Sequence, residues 1–336
     1  MILVTGGTGL LGGHLLLHLA ENQQIIRAIY RDISALEKVR RFFLLQTSKG
    51  QQLFEKIEWV RADITQIPEL ELAFEGITQV FHAAGFVSFN PQNAEILYKI
   101  NIEGTANVVN LCIDFKIKKL CYVSSVAALC KEGAKGIDEN SHWNSDDNNH
   151  DYAISKHGGE MEVWRASQEG VDVVVVNPAV ILGSGFWQAP SSLIFNKINE
   201  GLTFYTTGGT GVVAADDVAR AMIQLMQSDI KDERFVLNQS NITYKQLLTS
   251  IAEKLGKKPP KRKISYTILV ILAILDGFFS FLRIKKRKLT LNNAQSLSTI
   301  SAYNGEKITQ ILDFSYTPLD RTLQKITDDF KSEFGK

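Results

Sequence analysis

The stretch Thr5-Gly6-Gly7-Thr8-Gly9-Leu10-Leu11-Gly12 joins a short apolar run, 1–4, to a segment with helical spacing, 10–20. Glycine permits a tight turn, lets the backbone approach a pyrophosphate and lets a helix pack closely on a strand. The helix N-terminus adds free amides and positive potential. A glycine triplet alone is weak evidence, but its place between strand and helix predicts a nucleotide cradle. The predicted cofactor contacts here are Gly6, Thr8, Gly9, Leu10, Leu11 and Gly12.

The adenosine end of the cofactor is expected beside the second predicted strand, 25–30, which is followed by Arg31. An acidic residue here would bind the ribose hydroxyls of NAD, whereas a guanidinium stacks on adenine and pairs with a 2′-phosphate. Arg31 therefore favours NADP over NAD, although a solvated arginine beside Asp32 is the alternative. Residues 60–64 are predicted to form another strand, in which Asp63 and Ile64 reach the adenine. Asp63 also fits an ordinary turn at a strand end.

Proton-transfer chemistry is predicted from Tyr152 and Lys156, which share one face of a helix because they are four residues apart. The lysine charge can lower the pKa of the phenol and hold ribose hydroxyls, while the phenol exchanges a proton with a substrate oxygen. Ser125 follows the apolar run 120–123 and is predicted to hydrogen-bond that oxygen. Tyrosine and lysine at this spacing also occur on ordinary surface helices. Their order after the glycine turn and the serine favours catalysis.

The chain resembles the extended short-chain dehydrogenases/reductases over nearly its full length. The motifs that carry the resemblance are the turn 5–12, Phe81-His82-Ala83-Ala84-Gly85, Asn101-Ile102-Glu103-Gly104-Thr105, Ser124-Ser125, Tyr152-Ala153-Ile154-Ser155-Lys156, Asn177-Pro178 and Asp216-Asp217-Val218-Ala219. The resemblance implies that Ser125, Tyr152 and Lys156 are catalytic. Ser125 is preferred over Ser124 because it lies at the family's usual distance ahead of 127–129.

The same resemblance implies further contacts around the nicotinamide. Cofactor contacts are expected at Ala83, Ala84, Pro178 and Val180, and substrate contacts at Phe86, Ser88 and Asn177. Asn101 is expected to anchor a water or a backbone group behind Tyr152, or to cap the helix that follows it.

The subgroup is harder to assign. Residues 171–183 resemble the corresponding strand and turn of dihydroflavonol and cinnamoyl-CoA reductases, near the hydroxysteroid dehydrogenases. Sugar-nucleotide dehydratases usually place an Asp-Glu pair after the catalytic hydroxyl, but Val126-Ala127 follows Ser125 here. The expected function is NADP-dependent interconversion of a carbonyl and a secondary alcohol. A nucleotide-sugar epimerase with tightly held NAD stays open, as does a non-catalytic NADP sensor that regulates a partner.

The composition of the 336 residues agrees with such an enzyme. A net charge of +1 gives no field suited to nucleic acid. Cys112, Cys121 and Cys130 match no zinc pattern or disulfide framework, and the chain opens with a predicted core strand, so a reducing cytoplasm is expected. His14 and His18 have a spacing that can bind metal, but no third ligand is near in sequence. No metal site is predicted.

Alternating β-like and helical segments predict an α/β, Rossmann-type doubly wound parallel sheet with a smaller C-terminal lobe. Residues 1–180 are expected to form the NAD(P)-binding domain, to which 211–240 return. Residues 181–210 and 241–336 are expected to form the substrate lobe. The polar loop 131–151 is expected to frame the substrate cleft.

An apolar segment, 264–282, lies between two basic runs, 257–263 and 283–288. Asp276 interrupts it too early for a spanning helix, which needs about 20 apolar residues. Peripheral membrane contact through 264–288 and a helix that covers the substrate pocket are the two interpretations. Either suits an apolar or lipid-like small-molecule substrate and a cytoplasmic, membrane-associated protein. The family resemblance also implies a homodimer built on the tyrosine helix.

Overall fold

The computed structural model describes residues 1–129, 136–147, 149–281 and 290–335. Three features of the sequence lie outside the described residues: Cys130, residues 131–135 of the expected cleft loop, and the basic run 283–288.

A seven-stranded sheet forms the centre of the molecule, and every neighbouring pair of strands in it is parallel. The described strands are β1 Ile2–Thr5, β2 Ile26–Tyr30, β3 Glu58–Arg61, β4 Gln79–His82, β5 Lys119–Val123, β6 Asp172–Pro178, β7 Val180–Leu182, β8 Phe204–Tyr205, β9 Gly209–Ala214, β10 Glu233–Leu237, β11 Ser240–Thr243 and β12 Arg262–Lys263. The order in the central sheet is β3-β2-β1-β4-β5-β6-β10. This topology confirms the predicted doubly wound α/β fold.

Helices cover both faces of the central sheet. The described α-helices are α1 Leu10–Glu21, α2 Ser34–Gln46, α3 Gly50–Glu55, α4 Ile67–Phe74, α5 Ala94–Tyr98, α6 Gly104–Asp114, α7 Asp151–Gln168, α8 Leu193–Asn199, α9 Ala215–Gln227, α10 Tyr244–Lys254, α11 Tyr266–Phe281, α12 Leu291–Ser296, α13 Lys307–Ile311 and α14 Leu319–Phe334. A π-helical turn, Lys99–Glu103, joins α5 to α6, and a 3-10 turn, Val126–Ala128, follows β5.

The central strands are apolar on both faces because helices bury both sides of a parallel sheet. In β6, Val174 and Val176 face a core that also contains residues of α1 and α9, such as Leu16 and Met222. The alternate residues of β6 face a second core, which α4, α6 and α7 complete. The period-two alternation of a strand thus supplies both layers.

Two smaller sheets and a separate apolar core lie outside the central sheet. β7, β9 and β11 form one small sheet, and β8 pairs with β12 in the other. Trp187 and Phe195 pack with Ile251 and Phe330, so α8, α10 and α14 share this third core. These elements follow β6 in the chain.

Two local expectations need adjustment. The strand expected over 60–64 ends at Arg61, so Asp63 lies in the turn beyond it. Most of the apolar segment 264–282 forms α11, which is described from Tyr266 to Phe281. Within the described ranges, no helix is both long and apolar enough to cross a membrane.

His14 and His18 bind a carboxylate from another helix. Asp216, in the first turn of α9, lies 2.7 Å from Nδ1 of His14 and 3.1 Å from Nε2 of His18. Burial opposes ionisation, but His14 and the two hydrogen bonds outweigh it and hold the pKa of Asp216 well below its usual range. Lys325 of α14 also contacts Asp216. The described part of the chain contains no cluster of three or more acidic, His or Cys side chains that could hold a metal.

Candidate active site

The glycine turn lies where β1 and β4 run side by side. Gly6 has a φ of +72°, which favours glycine, and a Cβ there would come within 2.5 Å of the backbone of Ala83 and Ala84. A Cβ on Gly12 would overlap the carbonyl oxygen of Gly6. Both glycines are therefore required by close backbone packing.

The N-terminus of α1 fits an anionic group. The helix begins after Gly9, which provides no side-chain cap, and its first turn has no acidic residue. Gly9 is exposed, so the first amides of the helix are open to a ligand. Thr8 and Leu10 are half-buried beside it, whereas Leu11 is buried. This arrangement suits a dinucleotide pyrophosphate.

Buried hydrogen bonds fix the end of β4 against the glycine turn. The hydroxyl of Thr5 lies 2.6 Å from Nδ1 of His82 and accepts from the backbone N–H of Ala84 at 3.2 Å. Thr105 lies 3.0 Å from the other ring nitrogen of His82. Burial, assisted by the charge of Lys156, lowers the pKa of His82 to about 3. His82 is therefore neutral at physiological pH and acts as a packing residue.

Arg31 and Asp63 come together at the end where adenosine is expected. The guanidinium of Arg31 is 63% exposed and lies 3.8 Å from the Asp63 carboxylate. Asp63 also accepts hydrogen bonds from the backbone and hydroxyl of Thr65, both at 2.9 Å. Asp32 instead accepts from Ser34. Ile64 is buried beside the turn, so Asp63 both shapes a turn and pairs with Arg31.

The structure brings Ser125 and Tyr152 together. The Ser125 hydroxyl accepts from the backbone N–H of Ala127 at 3.1 Å and caps the 3-10 turn after β5. Tyr152 lies in the first turn of α7 and is half-buried. Burial raises the pKa of Tyr152, and its hydrogen bond with Ser125 acts in the opposite direction. The phenol is therefore protonated at neutral pH.

Lys156 points at the end of β5. Its ammonium donates to the carbonyl of Val123 at 2.6 Å and to the hydroxyl of Tyr122 at 3.2 Å. Burial lowers the pKa of Lys156 to about 8, and the negative charge of Glu160 partly offsets this effect. The expected lowering of the Tyr152 pKa by Lys156 is not what the structure shows: burial dominates at Tyr152, while the ammonium is held by β5.

Glu160 is a site residue that the sequence reasoning missed. It is fully buried, one helical turn after Lys156 on α7. Its carboxylate accepts from Ser124 at 2.6 Å and Asn177 at 2.9 Å, and Arg234 lies 3.3 Å away. A signal was present, because a glutamate four residues after Lys156 shares its helix face.

Asn177 lies in the protein interior. It is fully buried, and its amide donates to the carbonyl of Ser125 at 3.1 Å as well as to Glu160. A side chain enclosed in this way braces the loop after β5, and its expected contact with the substrate stays a prediction. Pro178, next to it, is buried, whereas Val180 is 38% exposed at the start of β7.

Asn101 anchors a backbone segment, as one of its two expected roles requires. Its side chain accepts from the N–H of Phe86 at 2.7 Å and donates to the Phe86 carbonyl at 2.9 Å. It also donates to the hydroxyl of Ser155 on α7 at 2.9 Å. Asn101 thus links the segment after β4 to the tyrosine helix through the π-helical turn. Phe86 itself is half-buried.

A cavity of about 230 Å³ opens beside Tyr152. Its lining residues are Ser88, Phe89, Pro91, Asn149, His150, Asp151, Tyr152, Thr290, Leu291 and Asn293. The ring centroids of Phe89 and of His150, which lies near the end of the expected cleft loop, are 5.5 and 6.1 Å from that of Tyr152. Ser88 holds its loop by accepting from Asn93. The described lining contains no lysine or arginine.

Comparisons with known proteins agree with this geometry. The model of the NAD dependent epimerase/dehydratase family matches residues 2–238. A putative dihydroflavonol 4-reductase of Synechocystis sp. is 27% identical over 270 residues, which cover 78% of this chain and 74% of that protein. Dihydroflavonol 4-reductase of Callistephus chinensis is 30% identical over 270 residues, covering 75% of this chain and 72% of that protein.

A solved structure shares the fold. The crystal structure of a nucleoside-diphosphate-sugar epimerase from Pseudomonas aeruginosa superimposes with a TM-score of 0.78 at 21% identity, covering 99% of this chain and 98% of that one. The family match confirms the resemblance found in the motifs. The chain belongs to the NAD dependent epimerase/dehydratase family, within the extended short-chain dehydrogenases/reductases, and is an NAD(P)-dependent oxidoreductase of that family.

Proposed function

We propose that the protein interconverts a carbonyl and a secondary alcohol on an apolar small molecule, with NADP as the preferred cofactor. The observation that carries this proposal is the position of Tyr152 at the wall of a cavity without described cationic residues, with the hydroxyl of Ser125 acting to lower the pKa of the buried phenol. The hydroxyls of Ser125 and Tyr152 could both hydrogen-bond one substrate oxygen. The aromatic Phe89 and the aliphatic Leu291 supply apolar wall.

The residues divide the reaction as follows. When bound, the nicotinamide cofactor supplies or accepts the hydride at the substrate carbon. Ser125 hydrogen-bonds the substrate oxygen, and Tyr152 gives it a proton in reduction or takes one in oxidation. The raised pKa of Tyr152 keeps its proton available, which suits reduction. Lys156 would hold the ribose hydroxyls and place a positive charge near the phenol.

The cofactor would be held along the carboxyl ends of β1, β2 and β4. The proposed contacts are Gly6, Thr8, Gly9, Leu10, Leu11 and Gly12 for the pyrophosphate, Arg31, Asp63 and Ile64 for adenosine, and Ala83, Ala84, Pro178, Val180, Tyr152 and Lys156 for the nicotinamide half. The exposed guanidinium of Arg31 supports NADP because it is accessible to a 2′-phosphate.

A nucleotide-sugar epimerase is the second candidate, since the Pseudomonas aeruginosa epimerase shares the fold. The cavity disfavours it. A nucleotide diphosphate is usually bound by arginine or lysine, and the described lining offers instead the carboxylate of Asp151.

We also propose that 181–210 and 241–336 form the substrate lobe, because Leu291 and Asn293 of α12 line the cavity. A homodimer and a cytoplasmic location stay predictions.

Replacing Tyr152 distinguishes an enzyme from a non-catalytic protein that senses NADP. We expect Tyr152→Phe to lower kcat by about 10²- to 10⁴-fold with a panel of apolar aldehydes and ketones, because the general acid is lost. Binding of NADPH, measured by calorimetry, should weaken far less than kcat falls, because the phenol is one of many proposed cofactor contacts. Tyr316→Phe is the matched control, since that phenol bonds the Gly305 carbonyl away from the cavity. Unchanged turnover in Tyr152→Phe would contradict the proposal.

Replacing Arg31 tests the cofactor preference. Arg31→Ala should weaken NADPH binding by about 10- to 100-fold, the loss of one charge-assisted contact with phosphate, and leave NADH binding nearly unchanged. Calorimetric titration of both cofactors measures this difference. Arg41→Ala is the control, because that arginine is equally exposed on α2 and pairs with Glu37. Equal loss for NADPH and NADH would overturn the NADP assignment.

The pKa of Lys156 sets an expected pH dependence. Because this pKa is lowered to about 8, the cationic fraction, and with it kcat/KM for NADPH, should fall as the pH rises through about 8. Glu160→Gln removes the negative charge that supports the cation, so the fall should move about one unit lower. Glu162→Gln on the same helix, where Glu162 pairs with Arg165, is the control. Identical pH profiles for wild type and a folded Glu160→Gln would contradict this role.

A further inference from the structure

Helix α11 buries only a narrow part of its surface against the rest of the protein. Leu269, Ala273 and Asp276, spaced four and three residues apart, are its buried side chains among those described. This spacing places them on one side of the helix. Most of the other described side chains of α11, over 266–275, are exposed.

The outward side of α11 is apolar. Ile268, Ile271 and Ile274 are 47%, 52% and 58% exposed, and Leu272 and Leu275 are exposed by similar amounts. A surface helix of a globular protein normally turns charged and polar residues outward. A contiguous set of large exposed aliphatic side chains marks an interaction surface.

A cluster of cations lies at the start of this helix. The exposed basic residues are Lys257, Lys258, Lys261, Arg262 and Lys263. Arg262 and Lys263 form β12, which pairs with β8 and so fixes the cluster beside α11. The exposed Phe204 of β8 lies next to Arg262. The sequence from 254 to 275 contains no acidic residue, so the surface is strongly positive.

The exposed aliphatic face and the basic cluster together favour one kind of partner over another. A second copy of the chain would have to pair two α11 faces whose flanking sequences, 257–263 and 283–288, are both basic. A parallel pairing of two α11 helices would bring the two described basic clusters, 257–263, together, which disfavours association. An anionic lipid surface offers acyl chains to the aliphatic side chains and phosphate groups to the cations.

We propose that α11 docks in the plane of an anionic lipid surface. Ile268, Ile271 and Ile274 enter the boundary between headgroups and acyl chains, and the basic cluster 257–263 contacts the headgroups. α12 packs against α11 and contributes Leu291 and Asn293 to the cavity wall. Docking therefore places the substrate cavity beside the lipid. The docking itself is independent of the proposed reaction.

Flotation of the full-length protein with vesicles tests the proposal. The wild type should float with phosphatidylcholine vesicles that contain about one third phosphatidylserine, and binding should fall at high salt. The double variant Ile271→Asn/Ile274→Asn should lose at least about 10-fold in binding. Ile67→Asn/Leu72→Asn on α4 is the matched control, since both residues are exposed apolar side chains elsewhere.

Three outcomes would overturn the proposal. The first is a wild type that does not float with the anionic vesicles. The second is equal loss of binding in the α11 and α4 variants. The third is a wild type that sediments as a dimer and does not bind vesicles, while the α11 variant sediments as a monomer.

The variant Lys261→Gln/Lys263→Gln should selectively weaken binding to anionic vesicles. Thermal unfolding and NADPH binding should match the wild type in every variant, which excludes misfolding as the cause.

Discussion

The close approach of Gly6 to the Ala83–Ala84 backbone is the constraint on which the site depends. No side chain fits at Gly6, so β1 and β4 can end at the same level and present their turns to one ligand. The chain then continues through Gly85, where a Cβ would lie 3.3 Å from the amide oxygen of Asn101 and 3.7 Å from the ammonium of Lys156. The backbone contact that shapes the glycine turn therefore also helps to position the tyrosine helix, α7.

A buried charge balance complements this steric constraint. Lys156 and Glu160 lie one turn apart on α7, and both are almost fully buried. An isolated buried ammonium would tend to lose its proton, but the carboxylate of Glu160 supports its charge. Ser124, Asn177 and Arg234 in turn satisfy that carboxylate. The ends of β5, β6 and β10 are thereby connected to the tyrosine helix through one polar network.

The sequence predicts the parts of the site that depend on local rules. The glycine turn and the four-residue spacing of Tyr152 and Lys156 are visible without a structure, and the fold class follows from alternating patterns that the structure confirms. The partners of Glu160 are not recognisable by such rules, because they come together only when distant strands meet. The bracing role of Asn177 is hidden for the same reason: the family motif places it at a strand end, but its contacts with Ser125 and Glu160 depend on how the buried segments meet. The roles of Ser125, Tyr152 and Lys156 stay predictions.

Transfer of deuterium from the cofactor tests the central claim most directly. The protein would be incubated with NADPH deuterated at C4 on either face and with apolar ketones, and the products analysed by mass spectrometry. A reductase with a single cofactor orientation predicts an alcohol that carries deuterium from one face only, with matching oxidation of NADPH. The account would be contradicted if the protein kept its cofactor tightly bound without consuming it. It would also have to invert a nucleotide sugar without transferring deuterium to the product.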